Sequence, residues 1–414
     1  MIKRSILLLA GEASGDYHAA ALIRQLKQLA PDIRVTGIGG DKLADAGMEL
    51  VHHYRDINTI GLSEGFQKVR NIIAAYSDMK RELRSGRHSL FIPVDFPDVN
   101  LRLCRVAKKS GLPVCYYISP QVWAWRKNRI NKIAGRVDRM MTIFPFEEQL
   151  YRDAGVRADF VGHTMVHDIP AEPDKDLLRR KLGIEPSRIA VAIVPGSRPA
   201  EIGRTLPRMC EAAQIYMVNH PDTQFILPLA GPHLFSTVEA ILSQYPAVPV
   251  KVHDSEASQV MAACDCGLVT SGTATLQAAL AEMPHAVVYV LDSLTWWFAL
   301  RILKPLVMEK DIHVAMANVL AIHGENLGDG PIKELSDKGI QIACYECGRP
   351  LFVPELLQYN ATPEKLAGWL ERFTSDRSLR SATIRGFKQI REMLTPPAEH
   401  QTAAKIVLDM ITQR

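Results

Sequence analysis

Apolar and polar positions along the first half of the chain follow two periods. Short continuous apolar runs at residues 5–10, 33–38, 88–94, 114–118 and 139–143 read as buried strands. Stretches with a 3.6-residue period at 17–29, 63–84 and 99–109 read as helices between them. Strand and helix in turn imply a parallel, doubly wound α/β sheet. A polar, proline-bearing stretch, His167-Asp168-Ile169-Pro170-Ala171-Glu172-Pro173-Asp174, interrupts the rhythm and reads as a linker. The pattern then restarts, with strands at 189–194, 224–229, 248–253, 267–270 and 286–290 and helices at 200–218, 255–263 and 273–281. The tail is helical from residue 363, with a break at Thr395-Pro396-Pro397. The expected organisation is two Rossmann-like domains facing a cleft: an N-terminal domain over 1–166, a linker over 167–176, a C-terminal domain over 177–362, and C-terminal helices over 363–414 that pack on one domain or the other.

Composition narrows the class. The chain has 414 residues, 47% hydrophobic and 23% charged, enough apolar material for two large cores. A net charge of +4 gives no reason to expect nucleic acid, and no zinc-finger or ribonucleoprotein pattern supplies one. The opening apolar run is too short for a signal peptide and flows straight into Gly11-Glu12-Ala13-Ser14-Gly15-Asp16. No uninterrupted apolar stretch is long enough to span a bilayer. Seven scattered cysteines do not form a disulfide framework, and a reducing cytoplasm is the expected compartment.

Three small-residue loops sit where a strand gives way to a helix. Gly11-Glu12-Ala13-Ser14-Gly15-Asp16 lacks the third glycine and downstream acid of a dinucleotide fingerprint. It reads either as an anion site at a helix N-terminus or as a tight turn capped by Ser14 or Asp16. Pro195-Gly196-Ser197-Arg198 offers a hydroxyl and a guanidinium before a helix, a candidate diphosphate clamp without the ending of a Walker A loop. The alternative is a capped turn in which Arg198 pairs with Glu201. Ser271-Gly272-Thr273-Ala274-Thr275 repeats the anion-site logic in the same half. Asp95, at a strand's carboxyl end in Asp95-Phe96-Pro97-Asp98, is placed to act as a general base, with Asp98 as helix cap or helper. Asp174-Lys175-Asp176 looks like a metal-binding pair but lies in the polar stretch, and reads as solvent-facing. Cys344-Tyr345-Glu346-Cys347 is at most half a zinc site. No metal and no cofactor are expected.

Two segments carry aromatic and basic residues together. Ser119-Pro120-Gln121-Val122-Trp123-Ala124-Trp125-Arg126 opens a run that includes Lys127, Arg129, Lys132 and Arg136, with Arg102, Arg105, Lys108 and Lys109 upstream. It reads as a face for anionic headgroups or a phosphorylated acceptor, or as a solvated helix face beside a buried ring. Trp296, Trp297 and Phe298, followed by Arg301 and Lys304, read as an interfacial contact for membrane or acyl chains, or as core.

Taken in order and spacing, these pieces resemble the lipid-A-disaccharide synthase family over nearly the whole chain. The resemblance rests on 11–16, Asp95-Phe96-Pro97-Asp98 with Asn100, 119–126, Phe144-Pro145-Phe146-Glu147, Val161-Gly162-His163-Thr164, 195–198 and 271–275, the Trp123-Ala124-Trp125 block above all. It implies a GT-B fold and an inverting transfer from UDP-2,3-diacylglucosamine to 2,3-diacylglucosamine 1-phosphate, giving a β-1,6-linked disaccharide and UDP. It implies a metal-free enzyme, peripheral on the cytoplasmic face of the inner membrane of a Gram-negative-type bacterium. By residue, it puts Asp95 at the general base, Glu12 and Ser14 near the transferred sugar, and Gly196, Ser197, Arg198, Ser271, Gly272, Thr273, Gln277 and Asn318 on the nucleotide side. Three positions depart from the family pattern: Gln277 stands for a usual Glu, Ala317 for a common Pro, and the cysteine-bearing stretch before Val353-Pro354-Glu355 is longer. Two rival readings stay open: another GT-B enzyme on a UDP-sugar, such as a UDP-N-acetylglucosamine transferase or epimerase, and a non-catalytic membrane-bound homologue. Acyl-chain length, the donor's ester or amide linkage, and any homo-oligomer are not encoded in these patterns.

Overall fold

In the computed structural model the described residues are 4–58, 65–123, 129–292, 314–323 and 352–412. The chain forms two compact units, one of Met1–Thr164 with Leu394–Arg414 and one of Met165–Met393.

The first unit is built on seven parallel strands: β1 (Ser5–Ala10), β2 (Arg34–Gly39), β3 (Glu49–His53), β4 (Leu90–Val94), β5 (Cys115–Tyr117), β6 (Arg139–Thr142) and β7 (Ala158–Phe160). Their order is β3-β2-β1-β4-β5-β6-β7. β1 and β4 lie at the centre and are apolar along their length, as strands covered on both faces must be. Leu7, Leu9, Phe91, Tyr116 and Met140 join helices Gly65–Arg84 and Pro97–Lys109 in one core. The register sets Ala10 beside Val94, so the loops after β1 and β4 leave the sheet at the same level.

The second unit repeats the plan with β8 (Ala190–Val194), β9 (Gln224–Pro228), β10 (Val250–His253), β11 (Cys266–Thr270), β12 (His285–Tyr289) and β13 (Glu355–Leu357), ordered β10-β9-β8-β11-β12-β13 and all parallel. Helix Pro363–Ser375 buries Trp369 and Phe373 in this core and packs on helix Pro199–Met217. Helix Ala403–Thr412 packs on helix Ala13–Leu29 of the first unit.

Three strands carry too little pattern to read from the chain. β3 and β7 are edge strands: one contains two histidines and a glutamate, the other is three residues long. β13 is a three-residue edge strand whose Glu355 is buried. The stretch after residue 164 is not a free linker. It holds helices Met165–Asp168 and Lys175–Leu182, and Asp174 caps the second by accepting from Leu177 N–H at 2.8 Å. Lys175 reaches Asp265 at 2.7 Å. The solvent-facing reading of Asp174-Lys175-Asp176 therefore holds for the exposed Asp174 and Asp176 but misses the cap and the ion pair.

Candidate functional site

In both sheets the strand order reverses at one place, between β1 and β4 in the first unit and between β8 and β11 in the second. Loops leaving the carboxyl ends of such neighbours diverge and leave a crevice, where open α/β sheets hold ligands. The three small-residue loops and the Asp95 turn all fall at these two points: 11–16 after β1, 95–98 after β4, 195–198 after β8 and 271–275 after β11.

At the first switch point the backbone is strained. Asp95 and Phe96 take φ of 43° and 49°, and Ile118, after β5, takes 61°. Left-handed conformations of this kind cost a non-glycine residue about 1–3 kcal/mol and collect at functional sites. The turn is held from behind. Asp95 N–H donates to the Tyr117 carbonyl at 3.0 Å, and the Asp95 carbonyl accepts from Asn100 Nδ2 at 2.7 Å and Tyr116 OH at 2.6 Å. Asn100 and Tyr116 are fully buried. The turn lays the Phe96 ring over Gly11, where a Cβ would stand 2.4 Å from Phe96 Cδ1. Gly11 is required by that close approach. Burial, and then the neighbouring Glu12 carboxylate, push the Asp95 carboxyl up to about 6.

The first loop is helical from Ala13, four residues before the periodicity shows it, because the small residues of its first turn carry little hydrophobic signal. Glu12 is the N-cap residue, and neither Ser14 nor Asp16 caps this helix. Asp16 is buried, and its carboxylate accepts from the Gly40, Lys42 and Leu43 N–H groups at 2.6, 3.2 and 3.3 Å. It caps the helix after β2. Asp98 is no cap either: the helix starts at Pro97 with Phe96 before it, and the exposed Asp98 pairs with Arg129. Glu12 stays exposed and Ser14 half-buried.

The loop after β5 is anchored by a carboxyl from the helix that follows β6. Glu147, in the first turn of helix Pro145–Asp153, is 1% exposed and accepts from Ser119 Oγ at 2.6 Å and Trp123 Nε1 at 3.1 Å. Its Oε2 has no hydrogen-bond partner among the described residues. Burial pushes the Glu147 carboxyl up to about 7, against the two donors. The Trp123 ring meets Phe146 edge-on at 5.4 Å, Phe146 stacks on Phe144 at 5.9 Å, and Phe144 lies 5.7 Å from the buried His163. His163 touches His18, whose Nδ1 bonds the Thr164 hydroxyl. Burial holds His18 down to about 4, so both rings of this pair are neutral near pH 7. The family-like sequences 144–147 and 161–164 supplied a signal for Glu147 and His163; nothing did for Ile118, Tyr116 or His18.

The basic run around residue 129 is partly neutralised within the first unit. Arg129 pairs with Asp98, Lys108 with Asp138 at 2.5 Å, and Arg136 donates to the Leu101 carbonyl at 2.9 Å. Arg102, Arg105, Lys109 and Lys132 remain exposed.

At the second switch point Gly196 takes φ 119° above Glu201, where a Cβ would stand 2.1 Å from Oε2. Glu201 accepts from Ser197 N–H at 3.2 Å and from Thr270 Oγ1 at 3.4 Å. The pairing of Arg198 with Glu201 is not formed among the described residues, and Arg198 is exposed at the start of helix Pro199–Met217. Opposite it Gly272, with φ 123°, precedes helix Thr273–Leu280, and both Gly272 and Thr273 are exposed. Ser271 donates its hydroxyl to the Val314 carbonyl at 3.1 Å, and Gln277 is half-buried on the same helix.

Asn318 is fully buried with its amide saturated. Nδ2 donates to the Val353 carbonyl and to Glu355 at 2.9 and 2.8 Å; Oδ1 accepts from Phe352 and Val353 N–H at 2.8 and 3.1 Å. Glu355 also accepts from the Val314 and Ala315 N–H groups at 3.0 and 3.1 Å, tying segment 314–323 to β13. A nucleotide contact by Asn318 would require breaking one of these bonds, which a buried amide resists. Trp125, Arg126, Trp296, Trp297, Phe298, Cys344 and Cys347 lie outside the described residues. Among the described residues no group of three His, Cys, Asp or Glu side chains is arranged to hold a metal ion, and no helix is long and apolar enough to cross a membrane.

Residues 6–338 match the family model described as lipid-A-disaccharide synthetase. The chain is 38% identical over 406 residues to a lipid-A-disaccharide synthase of Anaeromyxobacter dehalogenans, covering 98% of this chain and 97% of the relative. It is 35% identical over 411 residues to that of Syntrophus aciditrophicus, covering 99% of each. Among solved structures, it resembles the calicheamicin glycosyltransferase CalG4 with a TM-score of 0.56 at 16% identity, covering 100% of this chain and 99% of the other. It also resembles a UDP-GlcNAc 2-epimerase from Neisseria meningitidis, with a TM-score of 0.59 at 11% identity over 99% of this chain and 100% of the other. These structural likenesses are ones of fold, the GT-B class of two Rossmann-like domains.

Proposed function

The chain belongs to the lipid-A-disaccharide synthetase family, and from that premise we propose how its two switch points divide the reaction. The enzyme is a hexosyltransferase that uses a UDP-sugar donor and a sugar-phosphate acceptor. It condenses UDP-2,3-diacylglucosamine with 2,3-diacylglucosamine 1-phosphate, and releases UDP and the β-1,6-linked lipid A disaccharide 1-phosphate.

The N-terminal unit carries acceptor and base. Asp95 takes the proton of the acceptor hydroxyl as that oxygen attacks the anomeric carbon; the bond to the diphosphate oxygen breaks on the opposite face, and configuration inverts. The observation that carries this role is a strand-end carboxyl, held in a strained turn and raised to about 6, still ionised near neutral pH and basic enough to receive a proton. Glu12 and Ser14 face the transferred sugar. Asp98 is at most a helper, since it is exposed and paired with Arg129. The C-terminal unit carries UDP. Arg198 and the helix N-termini after Gly196 and Gly272 meet the charge that grows on the leaving diphosphate, and no metal is required. The Ser197 N–H already serves Glu201, so the exposed Gly272 and Thr273 are the freer backbone donors. Gln277 faces the ribose, and Asn318 acts by holding segment 314–323 in place rather than by touching the nucleotide.

Attachment to the cytoplasmic membrane face is peripheral, through residues 294–306 with Trp296, Trp297 and Phe298. The exposed Arg102, Arg105, Lys109 and Lys132 add an electrostatic contact. The deciding experiment is a thin-layer transfer assay with acylated donor and acceptor. Disaccharide from the wild type and almost none from Asp95→Asn supports the assignment; wild-type protein that turns over an unacylated UDP-N-acetylglucosamine instead overturns it.

A further inference from the structure

Beside the Asp95 turn, the first unit contains a cavity of about 230 Å³. Its inner wall is fully buried and apolar: Leu9, Ile38, Ala75, Met79 and Leu103, from β1, β2 and helices Gly65–Arg84 and Pro97–Lys109. One part of the lining is Gly11 and Phe96, the residues directly next to Glu12 and Asp95. Two further lining residues, Ile72 and Ile73, are 42% and 62% exposed, and Arg102 is the only charged side chain among the described lining residues.

We propose that this cavity receives a fatty acyl chain of the acceptor, binding it next to the catalytic turn. The inference rests on the reading of Asp95 as the base that takes the acceptor's proton. Inner walls without polar side chains exclude a sugar or a phosphate, whose desolvation would go uncompensated there. They suit a hydrocarbon chain, and the volume exceeds the ~150 Å³ of an apolar cavity that accepts benzene. The position selects the substrate: a chain lying against Phe96 and Gly11 is joined to the sugar whose hydroxyl reaches Asp95. The strained turn then has two products, a carboxylate on one side and an aromatic wall on the other. The exposed isoleucines form an apolar entrance, and the exposed Arg102 of the same lining meets the polar end from which the chain hangs. A contact with the bilayer surface would use Ile72 and Ile73 but has no need of an internal space reaching Leu9 and Met79.

The test is a series of acylated glucosamine 1-phosphate acceptors of increasing chain length, presented in detergent, with wild type, Ala75→Phe and Met79→Ala. For wild type, kcat/KM should rise about fourfold per added methylene and then level off once the space is filled. Ala75→Phe should raise KM for the long-chain acceptor at least tenfold, leave the shortest acceptor and UDP binding unchanged, and sediment with anionic vesicles like wild type. Met79→Ala, which enlarges the space, should move the levelling point to longer chains, a gain that misfolding cannot imitate. A flat chain-length series, equal losses for short and long acceptors, or loss of vesicle binding with detergent-borne kinetics intact would overturn the proposal, the last in favour of a bilayer contact. Transfer by the wild type with no chain-length dependence sinks this inference alone, whereas no transfer to any acylated acceptor sinks the function reading and this one with it.

Discussion

At Asp95 the direction of the pH dependence follows from the cause of its raised pKa. The carboxyl is neutral in the folded chain up to about pH 6 and ionises above it, while the unfolded chain ionises near the ordinary value of 3.8. The base is therefore competent above about 6, and kcat/KM should fall on an acidic limb near that value. Glu12 supplies part of the rise, so Glu12→Gln should move the limb to lower pH, and an unmoved limb would assign the limb to another group. Asp95→Asn should cut turnover about a hundred- to ten-thousand-fold. Because ionised Asp95 destabilises the fold as pH rises through its folded pKa, the Asn variant should melt at the wild-type temperature or slightly above at pH 8. A much lower melting temperature would make Asp95 a structural residue. Arg198→Ala should weaken UDP binding and slow transfer together, since it loses a contact that strengthens as the leaving group gains charge; tight UDP binding in that variant would place the diphosphate elsewhere.

Among elements, the loop after β5 illustrates what a chain pattern hides. Its tryptophan is visible in the sequence, but the group that holds it is Glu147, a carboxyl buried at the start of another helix. The first-turn position suggests only a favourable helix-end charge. Burial makes it an acid that keeps its proton to about pH 7, and ionising it removes stability as pH rises through that value. Glu147→Gln keeps an acceptor for Ser119 and Trp123 and should melt at or above wild type at pH 8–9. Glu147→Ala leaves both donors unpaired and should melt lower throughout. Thermal melts between pH 5 and 9 check both, and a Gln variant less stable than wild type at pH 9 would mean that the ionised carboxylate is stabilised by its surroundings rather than penalised by burial. Helix starts escape the period for a related reason: at residues 13–16 and 97–98 the first turns are made of small residues, proline and aspartate, so hydrophobic period cannot mark them.

For the whole molecule, the proposed division of labour assigns leaving-group stabilisation to Arg198 and two helix ends, so activity should survive excess EDTA. Strong loss restored by Mg²⁺ or Mn²⁺ would bring a metal into the mechanism. Replacing Trp296, Trp297 and Phe298 together by Ser should release the protein from anionic vesicles and raise KM for vesicle-borne acceptor. High salt should do so only in part, because an aromatic contact is not screened. If the triple variant unfolds or sediments like wild type, that segment is core.

Local pattern was enough to set the two βα rhythms, the central strands and the loops that follow them. These are local matters, since an apolar run of four to six residues and a glycine before a helix act through their own backbone and period. It also placed Asp95 and Arg198 at strand ends. The folded chain made those strand ends switch points, because strand order depends on pairing across distant residues. It decided which charges remain exposed as well: Asp98 and Asp138 neutralise Arg129 and Lys108, about thirty residues away in sequence, and Asn318 saturates its amide on 352–355. Burial made Glu147 an acid and left space between Met79 and Phe96, and burial is a property of packing that no local pattern of residue types carries.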